Sequence, residues 1–203
     1  MELPVVPFGK PRPERADAAR NRERLLETAR AMIAEHGAEK VTMDALAEQA
    51  GLGKGTVFRR FGTRAGIFRA LLDDDERRFQ EQVLTGPPPL GPGADPAQRL
   101  IAYGHARTAF LADHYLIVRA SLERREPRWV SGMTLSHIRM LLGRTSLPPS
   151  ALEGLTVQLT TALEGPFLLP HFLTDQTPEP PSDTHPTLLS DGWRILIERL
   201  VRD

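Results

Sequence analysis

The chain has 203 residues, with 26 basic and 26 acidic side chains, no cysteine, 18 prolines and 16 glycines. Without cysteine there are no disulfides, thiolate metal sites, iron–sulfur clusters or cysteine nucleophiles. Nor does any apolar run approach the ~20 residues of a membrane span, and Met1 to Pro13 carries four prolines where a signal peptide has an apolar core. A cytoplasmic protein is expected. The net charge of zero conceals an asymmetry: Lys10 to Ala70 holds thirteen basic and eight acidic residues, and the remainder carries the opposite surplus. The basic part is where an anionic partner is expected.

Clustered Pro and Gly mark the tail Met1–Pro13 and the stretches Thr85–Pro96 and Thr174–Pro186 as loops or linkers. Elsewhere the apolar residues recur at helical spacing, so the fold is predicted to be all-α. A first helix from about Asp17 to His36 buries Leu25, Leu26, Ala29, Met32 and Ile33, and Gly37 ends it. Thr42 caps a short second helix, with Val41 and Leu46 as its hydrophobic staple. Leu52 and Val57 repeat that staple around Gly53, starting a third helix that ends near Phe61. A fourth starts at Thr63 and buries Ile67, Phe68, Leu71, Leu72, Phe79 and Val83. In its acidic run, Asp73 and Asp74 precede Arg77 and Arg78 by four residues, the order of surface ion pairs, and this reading is preferred to a metal site. Further helices are expected over Ala97–Asp113, Tyr115–Arg125, Arg128–Arg144, Pro149 to about Leu173, interrupted at Pro166 and Pro170, and Thr187–Val201.

The second and third helices, joined through Ala50, Gly51 and Leu52, have the form of a helix-turn-helix. Ala47 is small where the helices cross, Gly51 can take positive φ, and Val57 locks the second helix to the first. The same residues would also suit any tight corner in a helical bundle.

The segment VTMDALAEQAGLGKGTVFRRFGTRAGIF, Val41 to Phe68, resembles the DNA-binding signature of the tetracycline-repressor (TetR) family of transcriptional regulators. The resemblance covers the first four helices, about a third of the chain; beyond them it extends only to length and helical architecture. It implies an N-terminal three-helix helix-turn-helix domain, joined by helix four to a C-terminal helical ligand-binding and dimerisation domain. The corresponding division is a flexible tail 1–16, a DNA-binding domain 17–62 and a sensing and dimerising domain 63–203. The implied partners are double-stranded operator DNA, a second copy of the chain and a small-molecule ligand that releases the DNA. No cofactor and no membrane are implied.

Lys54 and Thr56, on the first turn of the third helix, are placed to meet base edges, and Gly55 lets the backbone approach DNA. Arg60 stands where the family often has His, and Arg64 where it commonly has Lys. These two, with Lys40, Arg59 and the Thr42 hydroxyl, are phosphate candidates. Phe58 replaces the family's usual tyrosine, so that hydroxyl contact is lost; Gly53 replaces a common Ser. In the tail, Lys10, Arg12, Arg15, Arg20 and Arg22 either reach phosphates and the minor groove or carry scattered charge.

Ligand-site candidates are the polar, aromatic and Met residues on apolar helices: His105, Phe110, Arg119, Trp129, Met133, His137, Met140, Gln158, Glu164, Phe167 and His171. Core packing is the competing role for each. Thr160 and Thr161 are expected to bond helix carbonyls locally. Two stripes, Leu152, Leu155, Leu159, Ala162 and Leu163, and Leu189, Trp193, Leu196, Ile197 and Leu200, serve either a four-helix dimer contact or burial within one chain. Enzyme signatures are absent: there is no HExxH, GxSxG or GxxxxGK. The alternative reading is a DNA-binding protein without ligand control, constitutive or architectural, whose binding is set by salt.

Overall fold

A computed structural model describes residues 13–121, 132–168 and 184–201. Among them every regular element is helical, and the chain divides into two compact units, residues 1–71 and 72–203.

Unit 1 contains α1 (Pro13–His36), a 3-10 turn (Ala38–Lys40), α2 (Met43–Gln49), α3 (Lys54–Phe61) and the start of α4 (Arg64–Thr85). Its core is apolar: Leu25, Leu26, Ala29, Met32, Val41, Leu46, Ala47, Ala50, Val57, Ile67, Phe68 and Leu71 are buried. Gly37 ends α1 with φ 82°, ψ 160°, an extended positive-φ conformation suited to Gly. The Thr42 side chain accepts from the Ala45 N–H at 3.1 Å, the expected cap of α2.

The turn after α2 is a complete Schellman motif. Gly51 N–H donates to Glu48 O and Leu52 N–H to Ala47 O, both at 3.0 Å, with Gly51 at φ 61°. A left-handed residue is required there, and a Cβ would also come within 3.2 Å of Arg24 Nη2. This turn sets α3 against α2 with Val57 fully buried.

Unit 2 contains the rest of α4, then α5 (Pro96–Asp113), α6 (Tyr115–Ser121), α7 (Gly132–Leu142), α8 (Pro149–Leu168) and α9 (Thr184–Leu200). Asp95 caps α5 by accepting from Gln98 N–H at 3.0 Å, with Pro96 in the first turn. The core runs from Leu72, Phe79 and Val83 of α4 through Leu100 and Tyr103 of α5 to Ile138, Leu159, Phe167, Trp193 and Ile197. At the α5–α9 crossing the Trp193 indole lies over Gly104 and donates to Leu100 O at 2.8 Å.

Some sequence boundaries need correction. Thr184 to Pro186 are helical and open α9, where a linker was expected; Pro in the first turn lacks only an N–H that would have no helical partner. Gly143 follows the end of α7 at Leu142, short of the expected Arg144. Pro166 lies inside α8 without ending it. Thr156, Thr160 and Thr161 donate to the carbonyls four residues back, as anticipated for the last two. The ends expected near Arg125, Arg128 and Leu173, and Pro170, lie outside the described residues. No helix among the described residues is long and apolar enough to cross a membrane.

Candidate nucleic-acid interface

The candidate surface is built on α3 and flanked by α1, α2 and the 3-10 turn, all in unit 1. Gly53 caps α3 without a side-chain hydrogen bond. The first-turn N–H groups and the positive end of the helix dipole are therefore available to an anion outside the chain. Lys54 and Asp44 of α2 are both exposed, and Lys54 Nζ lies 2.9 Å from Asp44 Oδ1. A pair so open to water contributes at most about 1 kcal/mol, so Lys54 is readily surrendered to a competing acceptor.

Beyond Lys54, a Cβ on Gly55 would meet nothing within 4 Å. Thr56 is half-buried and accepts from Arg59 Nη2 at 3.4 Å. Arg60 Nη2 donates to Ala18 O of α1 at 2.5 Å. Phe58 is 65% exposed, an unusual state for a phenyl ring. Asp17, Ala18, Asn21, Thr56, Arg59 and Arg60 line an open groove between α1 and α3. Lys40 and Thr42 are exposed as well.

Arg64 stands apart from these residues. Its Nε donates to Val41 O and its Nη2 to Ala38 O, both at 2.8 Å, and its guanidinium lies 4.9 Å from the Phe68 ring centroid. The side chain thus braces the start of α4 against the turn before α2. Of the basic tail, Arg20 bonds Asp17 within α1; Lys10 and Arg12 lie outside the described residues.

Residues 25–71 match the family model of bacterial regulatory proteins, tetR family. The chain belongs to the tetR family. The transcriptional repressor AcnR of Corynebacterium glutamicum is 40% identical over 63 residues, 31% of this chain and 34% of that protein. An HTH-type transcriptional regulator of Staphylococcus aureus is 32% identical over 68 residues, 34% of this chain and 37% of that protein. These matches span about a third of the length of the curated relatives.

Across nearly the whole chain the fold is similar to that of the multidrug binding protein EbrR, crystallised with imidazole (TM-score 0.56, 21% identity, 98% of each chain). It is also similar to NalD, the secondary repressor of the MexAB-OprM multidrug efflux pump in Pseudomonas aeruginosa (TM-score 0.54, 17% identity, 93% of this chain and 99% of that one). At these identities the likeness concerns the fold.

In the tetR-family chain, unit 2 separates the ligand-site candidates. Glu164 and Phe167 of α8, His137 of α7 and Phe110 of α5 are buried; Met133, Met140 and Gln158 are exposed; Arg119 is half-buried. His105 Nε2 lies 3.1 Å from Ser190 O, and Phe110 stacks on His114 with centroids 4.3 Å apart. Trp129 and His171 lie outside the described residues.

Glu164 belongs to a buried network largely missed in the sequence. Arg107 donates through Nε and Nη2 to Glu164 Oε1 at 3.2 and 2.8 Å, and through Nη1 to Glu76 Oε2 at 2.6 Å. Thr134 Oγ1 donates to Glu164 Oε1 at 2.7 Å, and the Tyr103 hydroxyl to Thr134 Oγ1 at 3.0 Å. Burial pushes the Tyr103 phenol up to about 12, so it stays a donor. Glu76 was read as part of an exposed acidic run. Within that run only Asp74 takes the arginines, Arg77 at 3.0 Å and Arg78 at 3.2 Å, while Asp75 faces His114 at 3.3 Å. A helical-period count places Glu76 beside Phe79 and Leu72 on the buried stripe, and that was the available signal.

The dimer candidates also divide. Leu159, Leu163 and Trp193 are buried within the chain, Leu152, Leu155, Leu189 and Leu200 are half-buried, and Leu196 is exposed. Near Leu196 on α9 the exposed side chains include Leu188 and Ile195, and on α8 Val157 is exposed.

Proposed function

We propose that the chain is a homodimeric repressor that reads a palindromic operator through α3 and is released from it by a small molecule. The observation that carries the reading is the α3 surface, which sets Lys54, Gly55, Thr56, Phe58, Arg59 and Arg60 on one short helix fixed to α2 by the Schellman turn. In this reading Lys54 and Thr56 meet base edges, and Arg59, Arg60, Lys40 and Thr42 hold phosphates. Residues 17–62 form the reading head, 63–203 sense the ligand and dimerise, and residues 1–16 are a tail. The protein acts where its DNA is, in the cytoplasm.

Dimerisation is supported by the exposed Leu188, Ile195 and Leu196 of α9 with Val157 of α8, apolar surface that a second copy would cover. A two-fold pair of heads then matches half-sites about one DNA turn, or a multiple of it, apart. Ligand binding favours a shape of the sensing part in which the heads no longer fit successive grooves.

Selection of bound duplexes from a random library at near-physiological salt tests the reading. An enriched palindrome supports it; salt-sensitive binding without enrichment favours an architectural DNA-binding protein.

A further inference from the structure

The buried network of unit 2 has acceptors left over. Two carboxylates share the Arg107 guanidinium, which is 4% exposed and makes its printed contacts with Glu164 Oε1 and Glu76 Oε2. The second oxygen of Glu76, Oε1, is buried without a hydrogen-bond partner among the described residues, and so is Nε2 of His137. Both residues line one small cleft of about 20 Å³, together with Phe79, Tyr103, Leu84 and Met133.

A carboxylate oxygen can only accept. An imidazole held neutral accepts at the nitrogen that lacks the proton, and burial together with the Arg99 charge pushes His137 down to about 4. Leaving such atoms dry and unpaired is costly, so the cleft favours an occupant that brings donors. Its walls suit a cation: the Phe79 and Tyr103 rings stand with centroids 5.8 Å apart, and an aromatic face attracts positive charge.

Building on the reading of residues 63–203 as the sensing part, we propose that this cleft is the effector site. The effector is an organic cation whose N–H donors meet Glu76 Oε1 and His137 Nε2 and whose flat apolar body lies against Phe79 and Tyr103. The cleft in this conformation has room for about one water, so entry displaces Met133 and Leu84, both exposed at its rim.

The test titrates the intact protein with benzamidine, its neutral isostere benzamide, and benzoate, following heat and melting temperature. Benzamidine is expected to bind saturably, about tenfold or more tightly than benzamide, and benzoate not at all. Glu76→Gln, which keeps the shape and an acceptor for Arg107, should abolish that preference. Met133→Trp, which narrows the rim, should block binding. Equal affinity for benzamidine and benzamide, a preference that survives Glu76→Gln, or no saturable binding of any probe overturns the proposal, the last leaving a cleft for water only. Should Glu76→Gln fail to fold by circular dichroism, undiminished benzamidine binding by Met133→Trp overturns it alone. No DNA is present in these titrations. A protein that binds benzamidine but no operator would sink the regulatory reading and leave the site standing.

Discussion

On α3, Gly55 is open to the outside, with nothing within 4 Å of where a Cβ would sit. Gly55→Ala should therefore stabilise the fold by up to about 1 kcal/mol through helix propensity. If the backbone at Gly55 approaches DNA, the same change should weaken operator binding. Urea denaturation beside a DNA titration reads both, and unchanged affinity would show that Gly55 faces away from the duplex. Lys54 and Arg60 differ in role: Lys54→Ala should relax preference at one base position at a cost of about 1–3 kcal/mol, whereas Arg60→Ala should weaken all sequences alike and lower the salt slope by about one. Equal losses on cognate and random DNA from both changes would show the reading residue to be misassigned.

His137 gives a pH signature at the same scale. Its folded value of about 4 lies below the ordinary 6.5, so between these limits the unfolded chain binds a proton that the folded chain does not. Stability is then fully present above about pH 6.5 and falls as pH drops toward 4, by on the order of 3 kcal/mol at most from this group. His137→Phe, retaining a ring beside Tyr103, should flatten that window in denaturation curves taken across it.

At the scale of elements, the α5–α9 crossing depends on Gly104. A Cβ there would lie 1.9 Å from Trp193 Nε1, and the indole has no room to move without giving up its bond to Leu100 O. Gly104→Ala should destabilise the fold by about 3 kcal/mol or more as an overpacked core, measured as a lower urea midpoint. The reading head was legible in the sequence because its determinants are local: Thr42 caps α2, Gly51 turns the chain, and the Val41–Leu46 and Leu52–Val57 staples lie within a few residues of one another. The α5–α9 contact was not, since Gly104 and Trp193 are far apart in sequence and nothing in either neighbourhood names the other.

For the whole molecule, the exposed apolar side chains of α9 carry the oligomeric expectation. Leu196→Glu with Ile195→Glu should leave a folded monomer in sedimentation velocity, because both side chains are exposed and neither belongs to the core. Operator affinity should fall with it, since the second head is no longer held near its half-site. A dimer that persists with both charges in place would move the interface elsewhere.

The sequence by itself determined the helical class, the α1–α4 pattern and the helix-turn-helix, since each follows from helical period, caps and turns written within short windows. It also narrowed the basic residues of α3 to a few positions. Only the tertiary structure decided which candidates were bracing and which were open: Arg64 tied to two carbonyls, Lys54 on the surface, Leu159 and Trp193 inside the chain, Leu196 outside it. It alone joined Glu76, Arg107, Thr134 and Glu164, which come from four different helices. Burial and charge pairing are relations between distant segments, and a helical period specifies the face a residue occupies without specifying what will pack against it.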